Sequence, residues 1–429
     1  MKLVSILLHI CDILIRICIL IASKGFAKVF GFKLFEFEPN NNPSSSTVSL
    51  MIHAKNIQEI VKLSGYIVRE HVVTTRDGYL LVIHKLENPN IVSNGKIVYF
   101  HHGLLTNSEL FVIGSQHKRN LPYLLSDLGY EVWLGNNRGN KYSRKHLTLL
   151  VKNPQFWNFS LDEFGYFDIP DTINYISQYY NHMEKINYIG FSQGCSQLFA
   201  SLSLNPNLNS RLNLFIGLSP AIIPNNFHNS ILKIVVSKSA KDTSFLYSLF
   251  GNRAILPSVT LWSCLSYGNI YGKIVDYSLK FLFGWSGANI DIQQKQYGYP
   301  HLFSNSSVKC LIHWFQIINS NRFQMFDETD NVGLSSLPSI SSKLRHKSHT
   351  VAPFPIGHHL DVETLLFFGS NDSLVDINQT EKLILDQNEK MSGKLTSIIC
   401  DSYEHMDTLW ATDVYDQVFS KVIDYLQTR

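Results

Sequence analysis

Charge is scarce in this 429-residue chain. Asp, Glu, Lys and Arg make up 17% of it, and 37 basic against 34 acidic residues leave a formal net charge of +3. A nucleic-acid binder concentrates basic charge on one face, and this balance argues against one. Cysteine is scarce too. Cys11 and Cys18 lie in an N-terminal apolar run, while Cys195, Cys264, Cys310 and Cys400 are far apart with no C-x-x-C pair. Zinc and dithiol redox sites use such pairs, so the scattered thiols read as reduced and buried, which favours a cytosolic catalytic domain. No internal repeat is present. Sequons at Asn158, Asn305, Asn371 and Asn378 are short enough to arise by chance. What is plentiful is apolar surface: 45% of residues are hydrophobic and 12% aromatic. That suffices for a large core, and it suits apolar ligands or a membrane surface.

The stretch "LVSILLHICDILIRICILI", Leu3 to Ile21, is close to bilayer-spanning length. No A-x-A cleavage pattern follows it, as a removed signal peptide would require. His9, Asp12 and Arg16 interrupt the run; at about 100° per residue they fall within an arc of about 60°. Asp12 and Arg16 are an i,i+4 ion pair. The segment either spans with that pair shielded or lies in the interface with the polar stripe facing water. "KGFAKVFGFKLFEFEP", Lys24 to Pro39, mixes lysines with phenylalanines as an interfacial belt does. Lys24, Lys28 and Lys33 follow the run against Lys2 before it, which places the downstream part in the cytosol by the positive-inside bias. Residues 1–39 are therefore expected to be a membrane anchor and interfacial segment. The alternative is a poorly cleaved signal that sends the chain into the secretory pathway. Residues 40–56, opening with "NNNPSSST", read as a linker by composition.

From residue 57 strands and helices alternate. "VVTTRDGYLLVIHKL" predicts a hairpin around Asp77-Gly78. "KIVYFHHG" predicts a buried strand ending in glycine, "LPYLLSDLG" a helix closed by Gly129, and "LDEFGYFDIPDTINYISQYY" a long helix opened at Ser160. After Pro220 the alternation lapses until "VETLLFFG", Val362 to Gly369, and it ends with strand "KLTSIIC" and a last helix. Alternation with nearly unbroken apolar strands implies an α/β class: a mostly parallel central sheet with helices on both faces. Residues 57–220 and 362–429 form its two parts. The interruption over 221–361 is too long for a structureless loop and reads as an inserted helical cap or lid.

One pentapeptide carries chemistry. Gly190-Phe191-Ser192-Gln193-Gly194 stands between the strand "INYIGF" and the helix "QGCSQLFASL". A serine on a tight strand-to-helix turn, flanked by glycines, is the nucleophile elbow of the α/β-hydrolase fold. A helix-capping serine would not explain both glycines. Triad members follow in the order Ser, acid, His, which allows elimination. "LLFFGSNDSLVD" puts Asp372 just past a late strand, with Asp376 as a rival that reads as a helix-start carboxylate. Beyond Asp372 the chain has one histidine, His405. His405 would take the Ser192 proton, and Asp372 would hold the imidazole tautomer. Oxyanion donors are expected at the backbone N–H of Gln193 and, in "YFHHGLLTN", of Leu104. Cys195 reads as a small packing residue. His101-His102 has no carboxylate or cysteine at ligand spacing; His358-His359 and "KLRHKSH" read as polar cap loop, and His313 as a packing or hydrogen-bonding residue. No metal or cofactor is expected.

These pieces resemble the acid lipases, the family of gastric and lysosomal acid lipases and membrane-anchored fungal steryl ester hydrolases. The resemblance rests on "TTRDGYLLVIHKL", "HHGLLTNS", "LGYEVWLGNNRGNKYSR", "FWNFSLDEFGYFDIPDTINYI", "INYIGFSQG", "HWFQ", "GSNDSLVD" and "YEHMDTLWATDVYDQV", in family order from about residue 57 to the end. It implies nucleophile Ser192, acid Asp372, histidine His405, and oxyanion donors Leu104 and Gln193. A serine-rich, basic stretch from Ser335 to His349 and "YPHLFSNSS" depart from the family pattern, which puts substrate preference in doubt. The expectation is a membrane-associated neutral-lipid ester hydrolase on a lipid droplet or endoplasmic reticulum membrane, facing the cytosol. Steryl esters come first and triacylglycerols second. An acyltransferase and a silent lipid-binding protein are the alternatives. Neither nucleic acid nor a particular oligomeric state is implied.

Overall fold

Eight segments supply the main strands: β1 (Ile67–Thr74), β2 (Tyr79–Glu87), β3 (Ile97–His101), β4 (Glu131–Leu134), β5 (Ile186–Phe191), β6 (Leu212–Leu218), β7 (Glu363–Gly369) and β8 (Leu395–Cys400). They come from a computed structural model that describes residues 43–225, 227, 230–255, 269–328, 351–386 and 388–429. The anchor expected over residues 1–39 and the stretch Ser335–His349 lie outside the described residues.

The strands form one sheet in the order β1-β2-β4-β3-β5-β6-β7-β8, and the two-residue strand Lys145–His146 pairs with β2. From β4 onward along that order every pair is parallel. Only β2 runs against its neighbours, after the expected turn at Asp77-Gly78. β3 and β5 are buried along their whole length. Strands covered on both faces can be apolar throughout, as these are. Alternate side chains still go to opposite faces. Val98, Phe100, Ile189 and Phe367 join one apolar cluster with Val418, Phe419 and Val422 of the C-terminal region. Ile97, Tyr99, Tyr188 and Phe368 join a second with Ile173, Ile176, Leu198 and Phe199. Each such side chain, fully buried, contributes about 1.5–3 kcal/mol. β1 lies at the sheet edge and is largely solvent-facing, which its charged residues Arg69 and Glu70 suit.

The expectation of a linker over residues 40–56 is corrected. Pro43–His53 is a helix, with Met51 and Ile52 buried. The serine-rich composition hid a turn-spaced apolar face, Val48, Met51 and Ile52. Met51 joins the core with Val48 packed against it, and the Met51 carbonyl accepts a hydrogen bond from His301 Nε2 at 2.9 Å.

Between β6 and β7 the chain leaves the sheet. The described residues there include helices Ser230–Lys241, Thr243–Phe250, Asn269–Phe283, Ile292–Leu302 and Val308–Ser320. Val236, Leu246, Val308, Ile312, Phe315 and Phe326 form a small apolar cluster of their own. The C-terminal ends of β3, β5, β7 and β8 meet on one edge of the sheet, where open α/β sheets bind ligands.

Candidate active site

Strand β5 ends at Phe191 and the helix Gln193–Leu204 begins two residues later, so one residue makes the turn. That residue is Ser192, at φ 54° and ψ −119°. A non-glycine residue held there stores strain, of order 1–3 kcal/mol. The turn also demands close packing. A Cβ on Gly194 would lie 2.2 Å from the His101 carbonyl oxygen, and one on Gly103 would lie 3.0 Å from Ser192 Cβ. The Ser192 side chain makes no capping bond to the helix, so the capping interpretation fails.

Its Oγ instead lies 2.7 Å from His405 Nε2, and His405 Nδ1 lies 2.7 Å from Asp372 Oδ2. An ionised carboxylate only accepts, so Nδ1 carries the ring proton and Nε2 is left as acceptor for the serine O–H. All three are buried, at 8%, 4% and 6% exposure for Ser192, His405 and Asp372. Asp372 is itself oriented by the Leu374 N–H, which donates to Oδ1 at 2.9 Å. The rival Asp376 caps the helix Ile377–Leu385 by accepting from Gln379 N. The His405 loop is fixed from below, because Ser219 Oγ donates to the His405 carbonyl at 2.9 Å. Two rings enclose the imidazole: Phe191, tilted, with centroids 5.2 Å apart, and Trp285, parallel within 5° at 5.2 Å. An imidazole so placed can take the serine proton as oxygen attacks a carbonyl carbon.

The two expected N–H donors, of Leu104 and Gln193, have no backbone acceptor among the described residues. The peptide joining Gly103 to Leu104 is locked in orientation. Its carbonyl accepts from His102 Nδ1 at 2.8 Å and from Thr106 Oγ1 at 3.0 Å. Since the Asn137 N–H donates to His102 Nε2 at 3.1 Å, the His102 proton sits on Nδ1. Burial pushes the His102 ring down to about 3 and the His101 ring down to about 4, so both are neutral near pH 7. His101 holds Asn137 through Nε2 and Tyr99 through Nδ1. These two histidines are thus loop struts. Among the described residues no His, Cys, Asp and Glu group could hold a metal ion.

Three contributors escaped sequence reasoning. Gln193 is engaged through its side chain: Oε1 accepts from Trp314 Nε1 at 2.7 Å and from Cys310 Sγ at 3.4 Å. The signal was the motif "HWFQ", whose tryptophan is Trp314. His313 beside it donates its Nε2–H to the Gln324 carbonyl at 2.8 Å. Trp285 gave no signal beyond its place in an apolar cap segment, and His102 gave one only through its position beside Gly103. Cys195 is fully buried, and burial raises its thiol well above the ordinary range, as a packing residue requires.

Comparison with known proteins places this chain in a family. Residues 57–115 match the family model described as "Partial alpha/beta-hydrolase lipase region", and residues 96–393 match "alpha/beta hydrolase fold". The chain belongs to the α/β-hydrolase lipases. It is 42% identical over 395 residues to "Probable lipase C16A3.12c" of Schizosaccharomyces pombe, covering 92% of this chain and 85% of that one. It is 30% identical over 380 residues to the gastric triacylglycerol lipase of Rattus norvegicus, covering 86% and 91%. With the lysosomal acid lipase/cholesteryl ester hydrolase of Macaca fascicularis it shares 27% identity over 384 residues, covering 87% and 90%. A crystal structure from Sulfolobus solfataricus superposes with a TM-score of 0.53 at 14% identity, over 85% of this chain and 95% of that one, and shares the fold. As a member of this lipase family the protein is a serine ester hydrolase.

Proposed function

We propose that this lipase hydrolyses neutral-lipid esters at a membrane or lipid-droplet surface, with steryl esters preferred and triacylglycerols second. The observation that carries the chemistry is the buried row Ser192 Oγ, His405 Nε2 and Nδ1, Asp372 Oδ2, each contact 2.7 Å long. In the first half-reaction Ser192 Oγ bonds to the ester carbonyl carbon while its proton passes to His405 Nε2. The carbonyl oxygen becomes an oxyanion between the N–H groups of Leu104 and Gln193. Collapse breaks the bond to the alcohol oxygen, which takes the proton from His405 and leaves as sterol or diacylglycerol. Water then repeats the sequence on the acyl-enzyme, with His405 again as base. Asp372 keeps the proton on Nδ1 and stabilises the imidazolium. Each oxyanion donor is worth about 2.7–4 kcal/mol in such sites.

Support for a neutral lipid comes from the names of relatives, a gastric triacylglycerol lipase and a lysosomal acid lipase/cholesteryl ester hydrolase. A surface location is supported by the apolar sequence Leu3–Ile21 and the lysine-rich belt after it. Among the described residues no helix is long and apolar enough to cross a membrane, so attachment rests on that segment. The proposed orientation, from the lysine bias, has the hydrolase part facing the cytosol on the endoplasmic reticulum or a lipid droplet. The test is hydrolysis of ergosteryl or cholesteryl oleate beside triolein, using the full chain and a version lacking the first 40 or so residues. The expected result is faster release of oleate from the steryl ester, with attachment to membranes lost on truncation. Activity on triolein alone would overturn the steryl preference.

A further inference from the structure

Trp285 stands over the ring of His405 although it belongs to the cap. The two rings are parallel within 5°, with centroids 5.2 Å apart. Its other neighbour is Phe283, stacked at 4.3 Å. The indole is 7% exposed, and its buried N–H has no acceptor in the structure as described. The ring face, not the N–H, is therefore what is held in place.

The segment carrying it is tied to both loops that deliver the site. On the histidine loop, the Glu404 carboxylate accepts from Ser286 N at 2.7 Å, Ser286 Oγ at 2.9 Å and Gly287 N at 2.8 Å. Asn289 Nδ2 donates to the Ser402 carbonyl at 2.9 Å and to Asp407 Oδ2 at 2.8 Å, and Thr412 N donates to the Asn289 carbonyl at 3.0 Å. On the acid loop, Ser373 Oγ donates to the Phe283 carbonyl at 2.8 Å. Glu404 and Ser373 are the chain neighbours of His405 and Asp372. A gate that swings away would have to break these bonds together. A platform that stays with the histidine keeps them.

We propose that Trp285 is a positioning residue for the ester hydrolysis, a fixed aromatic platform that holds the His405 ring in plane and favours its imidazolium form through the face of the indole. The proposal rests on the reading of Ser192, His405 and Asp372 as the reacting row. A cation within about 6 Å of an indole centroid is attracted by the negative face of the ring, and burial strengthens the attraction. The charge on His405 exists while the tetrahedral intermediate exists, so the effect falls on turnover rather than on ester binding. The charged groups that share the surroundings are Asp372 at Nδ1, Glu404 and Asp407 in the same loop, and Asp276 of the cap, which is paired with Lys295 at 3.1 Å.

The experiment compares the full-length protein with Trp285→Leu and Trp285→Phe on a soluble short-chain p-nitrophenyl ester. Fluorophosphonate titration first counts the reactive serines in each preparation. Failure of the unaltered protein to label would overturn the reacting row itself, and with it this proposal. With labelling intact, Trp285→Leu is expected to lower kcat about 10-fold while KM changes by less than about twofold. Trp285→Phe, which keeps an aromatic face, should recover most of the kcat. An unchanged or higher kcat, or a lower KM, in Trp285→Leu would show a gate and overturn the platform.

Discussion

Replacing Trp314 by Phe removes one hydrogen-bond donor from Gln193, the residue whose backbone N–H is proposed as an oxyanion donor. In the protein, Gln193 Oε1 accepts from Trp314 Nε1 at 2.7 Å, with Cys310 Sγ a weaker second donor at 3.4 Å. Gln193 is 1% and Trp314 5% exposed, so water cannot readily stand in. A buried acceptor left without its main donor costs about 1–3 kcal/mol. Part of that loss appears as lower stability and part as a freer Gln193 backbone, whose N–H then meets the oxyanion less well. If half of about 2 kcal/mol reaches the transition state, kcat/KM falls about fivefold. The assay is hydrolysis of p-nitrophenyl butyrate, which reports turnover without an interface, beside urea unfolding. A double-mutant cycle with Gln193→Leu separates the bond from the lost ring volume. Coupling of about 1–2 kcal/mol is expected, because removing both partners leaves no orphan. Additive effects, within about 0.3 kcal/mol, would refute the link between cap and elbow.

Two other substitutions test separate parts of the account. Asp372→Asn should lower kcat about 10⁴-fold, since an amide no longer enforces the Nδ1 tautomer. Asp376→Asn should stay within about twofold of the parent, since Asn caps a helix as well as Asp; steady-state kinetics on the same ester decide between the two carboxylates. Glu109 offers a pH test. It is fully buried, with Lys141 Nζ at 2.7 Å, the Tyr142 hydroxyl donating to it and His301 Nδ1 at 3.7 Å. Burial pushes its carboxyl up, but His301 and Lys141 together outweigh this and leave it below 4.5. A depressed carboxylate contributes stability that is present above the unfolded value of about 4.5 and is lost as pH falls through the lower, folded one. Glu109→Gln should cost about 3–5 kcal/mol at pH 7, with the gap to the parent narrowing below pH 4.5 in urea unfolding. A gap that does not change with pH would count against the ion pair.

The sheet was readable because its central strands are continuous apolar runs between helical patterns, and a buried parallel strand has few other ways to look. Ser192, Asp372 and His405 were singled out as candidates because chain order constrains them: one histidine follows the acid, and the structure brings all three within hydrogen-bond reach. The linker reading of residues 40–56 went wrong because the serines masked Val48, Met51 and Ile52, whose shared helical face acquires meaning only when a core is there to meet it. Contacts that cross the fold were beyond the sequence. Trp314 lies 121 residues from Gln193, and Trp285 reaches His405 from a cap whose path no periodicity predicts. His101 and His102 invited a metal reading by adjacency, while their buried, neutral rings serve as struts to Asn137 and the Gly103 carbonyl.

The central claim is that Ser192 is the nucleophile of an ester hydrolase. Its most direct test is reaction of the full chain with a fluorophosphonate, followed by mass spectrometric mapping of the adduct, with Ser192→Ala as control. The account predicts one adduct per chain, on Ser192, with parallel loss of ester hydrolysis, and neither labelling nor turnover in the variant. Substantial hydrolysis by Ser192→Ala, or an adduct on another residue that tracks the loss of activity, would contradict it.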